Sequence, residues 1–115
     1  MQSLHAVIEL ESFLKRARAI MSDDERIGIV MFLATNPEAG ISLGGGLRKV
    51  RVARKGGGKS GGYRTLYVFG GSTMPLFLMT VFAKNEKDNL TKAEQAAAVA
   101  LSKELLATYG AAEGD

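Results

Sequence analysis

The residues with the clearest chemical potential lie in a basic segment at positions 48–64, RKVRVARKGGGKSGGYR. Seven of its seventeen residues are basic and none is acidic. The basic residues are Arg48, Lys49, Arg51, Arg54, Lys55, Lys59 and Arg64. Positive charge at this density repels itself and costs stability unless it meets anions. The segment therefore predicts a surface that binds phosphate groups.

Arginine and lysine on strands can serve two kinds of chemistry. They can bind a nucleic-acid backbone, arginine bidentately and lysine as a point charge. They can also assist RNA cleavage, in which the ribose 2′-OH attacks the adjacent phosphorus and the catalyst aligns the attack and stabilises the extra negative charge. A lysine crowded by other cations has a lowered pKa and could act as the base. The residues alone leave both uses open.

The charge of the chain is segregated along the sequence, although the net charge is only +3. Residues 48–87 contain nine Lys or Arg against one acid, Glu86, whereas the rest contains six basic and eleven acidic residues. This pattern predicts a basic surface on a domain that is acidic elsewhere, and such a patch most often contacts phosphate. The alternative is a solvated basic face that needs no partner.

Other chemistries fit the sequence poorly. GGGKSGG resembles a phosphate-binding loop, but Ala53 stands where that motif requires glycine, and a strand rather than a helix is expected to follow. With no cysteine and a single histidine, His5, a structural zinc site is implausible, and His5 is expected to be structural or exposed. Glu86 could accept a proton, but a surface acid among lysines is an equal alternative. No metal or other cofactor is expected.

The elements that must position the basic residues follow from hydrophobic periodicity and turn signals. They predict an α+β domain with the order β-α-α-β-β-β-α, in which a helical hairpin packs on one face of a mainly antiparallel sheet and a helix follows at the C-terminal end. The strands are expected at His5–Leu10, Leu47–Arg54, Tyr63–Phe69 and Met74–Phe82, and the helices at Glu11–Met21, Asp23–Thr35 and Lys92–Thr108. Residues 38–46 are expected to form a loop. A single domain is expected over residues 1–110, with a frayed tail at 111–115.

Alternation along the basic strand separates its core side from its chemical side. Val50 and Val52 should meet the helices, leaving Lys49 and Arg51 on the opposite face. The strand Met74–Phe82 is almost wholly apolar and should be covered on both faces. Tyr63 and Tyr67 share one face of their strand, where they could stack on bases or pack in the core.

The helices carry predicted boundaries and buried positions. Ser22 with Glu25, and Thr91 with Glu94, have the spacing of capping boxes. Asn36-Pro37 should end the second helix. The expected buried residues are Ile27, Val30, Met31 and Leu33 or Ala34 in the second helix, and Ala96, Val99, Ala100, Leu101, Leu105 and Leu106 in the last.

The chain has features expected of a cytoplasmic protein. It has no cysteine, its start lacks the pattern of a signal peptide, and no run of apolar residues is long enough to span a membrane.

The run LRKVRVARKGGGKSGGYRTLYVF, followed by MPLFLMTVFAKNEKDNLTKAE, resembles the RelE/ParE superfamily of bacterial toxins, and most closely the HigB-like RelE toxins. The GKSGG-x-R and AKNEK segments together carry the resemblance, which covers nearly the whole chain. It implies the α+β fold described above. It also implies an endoribonuclease that enters the ribosomal A site and cuts translated mRNA without a metal, leaving a 2′,3′-cyclic phosphate.

The resemblance implies roles for individual residues. Lys49 matches the base, Arg51 and Arg64 match the groups that bind the scissile phosphate and its developing charge, and Lys84 matches an electrostatic helper. The expected RNA contacts are Arg48, Arg54, Lys55, Lys59, Tyr67 and Lys87. Many RelE nucleases carry a tyrosine shortly after the last strand, where this sequence has Leu90, so Tyr67 or another group would have to provide base stacking.

The resemblance also implies partners, and two alternative functions stay open. The partners are mRNA, the ribosome and a cognate antitoxin of helix-turn-helix type, with operator DNA reached only through the antitoxin and no membrane involved. One alternative is a ParE-like inhibitor of DNA gyrase that cuts nothing. The other is a non-catalytic RNA-binding module.

Overall fold

The computed structural model describes residues 4–53, 62–84 and 89–110 and contains one five-stranded sheet flanked by helices. The elements are β1 (Val7–Glu9), α1 (Glu11–Ile20), α2 (Asp23–Thr35), β2 (Ile41–Gly44), β3 (Leu47–Val52), β4 (Tyr63–Val68), β5 (Leu76–Ala83) and α3 (Lys92–Leu105), followed by a π-helical segment at Leu106–Gly110. The strand order is β1-β5-β4-β3-β2. Only the β1–β5 pairing is parallel among these strands. The predicted α+β fold with a mainly antiparallel sheet is confirmed.

One strand was not predicted from the sequence. Residues 38–46 were expected to form a loop, but Ile41–Gly44 pairs antiparallel with β3 and forms the edge of the sheet. Gly45 and Gly46 make the turn between them with φ values of 61° and 86°. Such positive φ angles suit glycine, and a Gly-Gly pair between two apolar-rich runs is a recognised hairpin signal. The loop prediction was therefore wrong: the strand has only four residues, and the glycine run after it was taken for a loop rather than for a hairpin turn.

The α1–α2 hairpin covers one face of the sheet, as predicted. Its core contacts come from Phe13 and Ala17 on α1 and Ile29 and Leu33 on α2, which cluster with Val50. The predicted capping box at the start of α2 is present. The Glu25 amide donates to Ser22 Oγ at 3.2 Å, and the Ser22 amide donates to Glu25 Oε1 at the same distance.

The helix α3 packs on the opposite face of the sheet. Its residues Ala98 and Val99 contact a second apolar cluster, together with Leu90 just before the helix. The buried members of that cluster are Leu47, Leu66, Val68, Met74, Phe77, Met79 and Phe82. As predicted, β5 is covered on both faces, because alternate residues contribute to each cluster.

Part of the predicted helical core is wrong. Ile27 and Met31 on α2 are 49% and 47% exposed, whereas Ile29, which was not predicted, is buried together with the predicted Leu33 and Ala34. The segment IGIVMFLA is apolar on every side, so periodicity could not select the face. On α3 the expected core residues Ala96, Ala100 and Leu101 are exposed.

Ser102, a small polar residue of α3, makes a close contact with the β2–β3 turn. Ser102 is fully buried, and its hydroxyl donates to the Gly45 carbonyl at 2.7 Å. A Cβ on Gly46 would lie 2.6 Å from Leu106 Cδ1, so the turn approaches the helix as closely as glycine allows. Packing at this turn therefore favours a short side chain over a larger apolar one.

The single histidine, expected to be structural or exposed, makes structural contacts. His5 Nε2 donates to the Met74 carbonyl at 2.9 Å, and its ring meets Phe69 edge-on with 5.1 Å between centroids. These contacts help hold the chain before β1 against the segment that leads into β5. Among the described residues, no helix has the length and apolar character to span a membrane.

Candidate functional site

Strand pairing brings three of the predicted site residues together. In the β3–β4 ladder Arg51 lies opposite Arg64, and Lys49 lies opposite Leu66. Directly paired residues point to the same face of a sheet, and side chains two apart along a strand share that face. Lys49, Arg51 and Arg64 therefore form one group, here called the cation cluster, on the face that carries α3. The predicted separation of these cations from Val50 is confirmed.

The cation cluster opens into a single cavity of about 440 Å³. The cavity is lined by Ala39, Gly40, Ile41, Lys49, Val50, Arg51, Arg64 and Asn89. All three members of the cluster thus reach the same space, together with the segment before β2 and the residue that leads toward α3. A ligand in this cavity would meet three cationic groups at once.

Burial differs sharply within the cation cluster. Arg64 on β4 is only 7% exposed, Lys49 is half-buried and Arg51 is exposed. Arginine remains charged at every physiological pH, so burying its guanidinium costs free energy that specific interactions must offset. Like charges placed directly opposite in an antiparallel pair, as Arg51 and Arg64 are, also destabilise the pair. This arrangement favours an anionic ligand at the cavity.

Lys84 lies near the same end of the sheet but does not line the cavity. It follows β5 directly, and its amide donates to the Gly62 carbonyl at 3.2 Å, just before β4 begins. Its backbone is thereby placed two residues from Arg64 on the neighbouring strand. Its predicted electrostatic role remains a prediction.

Two predicted RNA contacts, Arg48 and Tyr67, support a wall of the cavity from the other face of the sheet. Arg48 Nη2 donates to the carbonyls of Glu38 and Gly40 at 3.0 and 2.6 Å. The Tyr67 hydroxyl accepts a hydrogen bond from the Gly40 amide at 3.2 Å. These bonds hold the segment before β2 against β3. The predicted RNA contact of Arg48 remains untested.

The burial of Tyr67 contradicts its predicted use in base stacking. Its ring is 0% exposed, as part of the cluster beneath α1 and α2, and Tyr63 lies in the same cluster at 2% exposure. A ring with no accessible face cannot stack on a base. Both tyrosines are therefore core residues, and Tyr67 is removed from the set of RNA contacts.

Four further predicted contacts lie outside the described residues. They are Arg54, Lys55, Lys59 and Lys87. Glu86, considered as a proton acceptor, lies outside them as well. Their roles remain predictions.

The structure adds one residue that sequence reasoning missed. Asn89 lines the cavity, and its Oδ1 accepts a hydrogen bond from Lys49 Nζ at 2.7 Å. The available signal was weak: an amide residue directly before Leu90, the position inspected for a tyrosine. A contact between residues forty apart depends on how α3 packs, which the sequence pattern does not specify.

The Arg26–Glu9 pair does not line the cavity. The hydrogen bond from Arg26 to Glu9 raises the pKa of Arg26 and joins α2 to β1. Within the described ranges, no group of three or more His, Cys, Asp or Glu side chains is arranged to hold a metal ion. Among the described residues, the cavity offers a ligand the charged groups of Lys49, Arg51 and Arg64 and the amide of Asn89.

Fold and site together define a class: a small α+β sheet protein whose cationic cavity is lined by β3, β4, the segment that leads into β2 and Asn89. Residues 7–112 match a family model described as "RelE toxin of RelE / RelB toxin-antitoxin system". Because the match spans nearly the whole chain, the chain belongs to the RelE toxin family. It is the toxin component of a toxin–antitoxin system, and the family implies a cognate antitoxin as partner.

Proposed function

We propose that this toxin is an endoribonuclease that cuts translated mRNA at the ribosome without a metal ion. The observation that carries the proposal is the convergence of Lys49, Arg51 and Arg64 on one cavity. RNA cleavage by its own 2′-OH needs a base, an aligned phosphate and compensation for developing negative charge. The cavity brings together groups able to meet all three needs.

Each member of the cation cluster has a distinct part in the proposed reaction. Arg64, held in the middle strand of the sheet, and Arg51, opposite it, bind the non-bridging oxygens of the scissile phosphate. Guanidinium groups suit this task because their fork of donors matches phosphate geometry. Their positive charge stabilises the negative charge that develops on the phosphorane oxygens. Lys84 adds positive charge at the end of β5.

Lys49 acts as the base. Its neutral amine accepts the 2′-OH proton as the 2′-oxygen bonds to phosphorus. The bond from phosphorus to the 5′-oxygen breaks, and that oxygen takes up a proton from water. The products are a 2′,3′-cyclic phosphate on one fragment and a 5′-hydroxyl on the other. Lys49 then returns its proton to solvent.

The finer placement of this toxin is part of the same proposal. The GKSGG-x-R and AKNEK segments favour the HigB-like branch of the family, with a helix-turn-helix antitoxin through which operator DNA is reached. Action on translated mRNA places the protein in the cytoplasm. Arg48, Arg54, Lys55, Lys59 and Lys87 would add contacts to mRNA or ribosomal RNA.

Induced expression with mapping of mRNA 5′ ends tests the proposal. We expect new 5′ ends within translated messages soon after induction, with no DNA-damage response. Cleavage should disappear in the Lys49→Ala and Arg64→Ala variants and persist in Lys15→Ala, which removes an exposed cation from α1. Growth arrest with a DNA-damage response and intact messages would instead indicate a ParE-like gyrase inhibitor. RNA binding without new ends would indicate a non-catalytic module.

A further inference from the structure

We propose that Asn89 is a positioning residue for the cleavage reaction, and that its side-chain amide directs the amine of Lys49 into the cavity. This inference rests on the proposed function. The inference goes beyond the proposed function because it gives a role to a residue in the connection between β5 and α3. The cation cluster comes from β3 and β4, whereas Asn89 belongs to neither strand.

The geometry of the Lys49–Asn89 contact supports this role. Lys49 Nζ donates to Asn89 Oδ1 at 2.7 Å, which is within the short range of charge-assisted hydrogen bonds. Both residues line the same cavity as Arg51 and Arg64. Lysine has a flexible four-carbon stem, so a fixed acceptor restricts where its amine can lie.

Asn89 is held in place by the start of α3. Thr91, two residues later, is the N-cap of the helix, and its capping box with Glu94 has both reciprocal hydrogen bonds, of 3.1 and 2.8 Å. Leu90 between them packs against the apolar cluster on that face of the sheet. Asn89 therefore precedes an anchored backbone, from which its exposed side-chain amide meets Lys49.

The neutrality of the amide matters for a lysine that must exchange a proton. The amide oxygen accepts an N–H from either the ammonium or the neutral amine. A carboxylate at this position would favour the ammonium as an ion pair and oppose its conversion to a base. Asparagine thus orients the nitrogen without placing a charge beside it.

Several charged side chains belong to the strands that carry the cation cluster or to the segments next to them. They are Glu38 before β2, Arg51 on β3, Arg64 on β4, Lys84 after β5, and Lys92 and Glu94 at the start of α3. None of them is altered by a substitution at Asn89, so a change in pH dependence would report the Lys49–Asn89 contact itself.

Kinetics on mRNA in programmed ribosomes test the proposal. For Asn89→Ala we expect kcat to fall about 10- to 100-fold, the scale of a misplaced reacting group, with KM within about twofold. For Asn89→Asp we expect the half-maximal rate to move to higher pH by about one unit or more, because the carboxylate stabilises the ammonium form. Adding Asn89→Ala to Lys49→Ala should cause no further loss, since the two act as one unit.

Gln95→Ala is the matched control, because it removes a side-chain amide from α3 away from the cavity. It should leave kcat and the pH profile unchanged. Thermal unfolding of each variant measures any loss of folded protein. An Asn89→Ala enzyme with normal kcat and pH profile would overturn the proposal. A loss of rate that only follows the loss of folded protein would also overturn it and leave Asn89 a structural link.

A readout that needs no activity separates this inference from the proposed function. The side-chain ¹⁵N resonance of Lys49, assigned with Lys49→Arg, should shift in Asn89→Ala and stay in place in Gln95→Ala. If the wild-type protein cleaves no RNA, the proposed function fails and the kinetic role of Asn89 fails with it, while the resonance still decides whether the amide orients Lys49. An unchanged resonance in a cleaving enzyme overturns the positioning role alone.

Discussion

Arg64 combines a functional charge with a position inside the sheet. It lies on the middle strand between Arg51 on β3 and Phe82 on β5, and little of it is exposed. Its guanidinium therefore has few alternative positions, and a phosphate that reaches it meets a pre-oriented donor. This is the kind of electrostatic preorganisation from which catalysts gain most.

Replacing Arg64 by alanine should abolish growth arrest. We expect RNA cleavage to fall about 10²- to 10³-fold, the usual effect of removing one preorganised donor. The checks are mRNA 5′-end mapping in cells and cleavage on purified ribosomes. Arg18→Ala, which removes an exposed arginine from α1, is the control. Because Arg64 is buried, circular dichroism must show that the variant folds, and a folded variant that stays fully toxic would remove Arg64 from the site.

Lys49 offers a test that separates a base from a simple positive charge. Lys49→Arg keeps the charge, but arginine cannot lose its proton in the physiological range. We expect Lys49→Arg to bind RNA and yet lose cleavage about as strongly as Lys49→Ala, by about 10²- to 10⁴-fold. The measurements are single-turnover cleavage rates and RNA affinity. Substantial cleavage by Lys49→Arg would show that the residue acts through its charge.

At the level of residues, the sequence predicted correctly which face of the sheet a side chain occupies when alternation along one strand determines it. Alternation alone placed Lys49 and Arg51 on the face opposite Val50, because the period of a strand is two. It could not tell that Tyr67 is fully enclosed by α1 and α2, since burial depends on the whole sheet. It also could not find Asn89, whose contact with Lys49 needs the packing of α3.

At the scale of elements, the segment before β2 forms a wall of the cavity through very close backbone packing. A Cβ on Gly40 would lie 2.1 Å from the Lys49 carbonyl oxygen. That distance is far below normal contact, and the nearest atoms are backbone. Only glycine lets this wall approach the strand that carries the proposed base.

Gly40→Ala should therefore disturb both stability and activity. The new methyl group has to push the segment away from β3, and overpacking of this kind typically costs about 1–3 kcal/mol. We expect a lower unfolding midpoint and slower cleavage. The matched control is Gly28→Ala, within α2, where a Cβ would meet nothing within 4 Å. That change should stabilise the protein by about 0.4–1 kcal/mol. Equal unfolding midpoints for the two variants would contradict the close packing.

The elements themselves were predictable to different degrees. The α2 boundaries were predicted correctly because Ser22, Glu25 and Pro37 mark them in the sequence. The strand β2 was missed because it has only four residues, and its hydrogen bonds come from pairing with β3 rather than from local preference. The buried faces of α2 and α3 could not be chosen because both helices carry apolar residues on more than one side.

At the scale of the whole molecule, strand pairing gathers Lys49, Arg51 and Arg64 on one face of the sheet. Binding of RNA to such a face should weaken steeply with salt because counterions are released. We expect the logarithm of the association constant for a single-stranded RNA to fall linearly with the logarithm of salt concentration. Arg51→Ala should reduce that slope by about 0.7, the value for one lost phosphate contact on a single strand.

Lys15→Ala on α1 is the control for this measurement, since it removes one positive charge from the opposite face of the sheet. It should leave the slope unchanged. Fluorescence anisotropy over a range of salt concentrations gives both slopes. If the two variants lowered the slope equally, binding would depend on net charge and not on the cation cluster.

The pairing of β1 with β5 also has a consequence for the order in which a nascent toxin acquires its parts. Val7 has to wait for Leu76, which follows it by 69 residues in the chain, before this edge of the sheet can close. Lys49, Arg51 and Arg64 emerge before that closure, whereas Asn89 follows it. A growing chain thus carries its cations well before it has the enclosure around them. Under the proposed function, cleavage would therefore require the chain to have been made through Asn89.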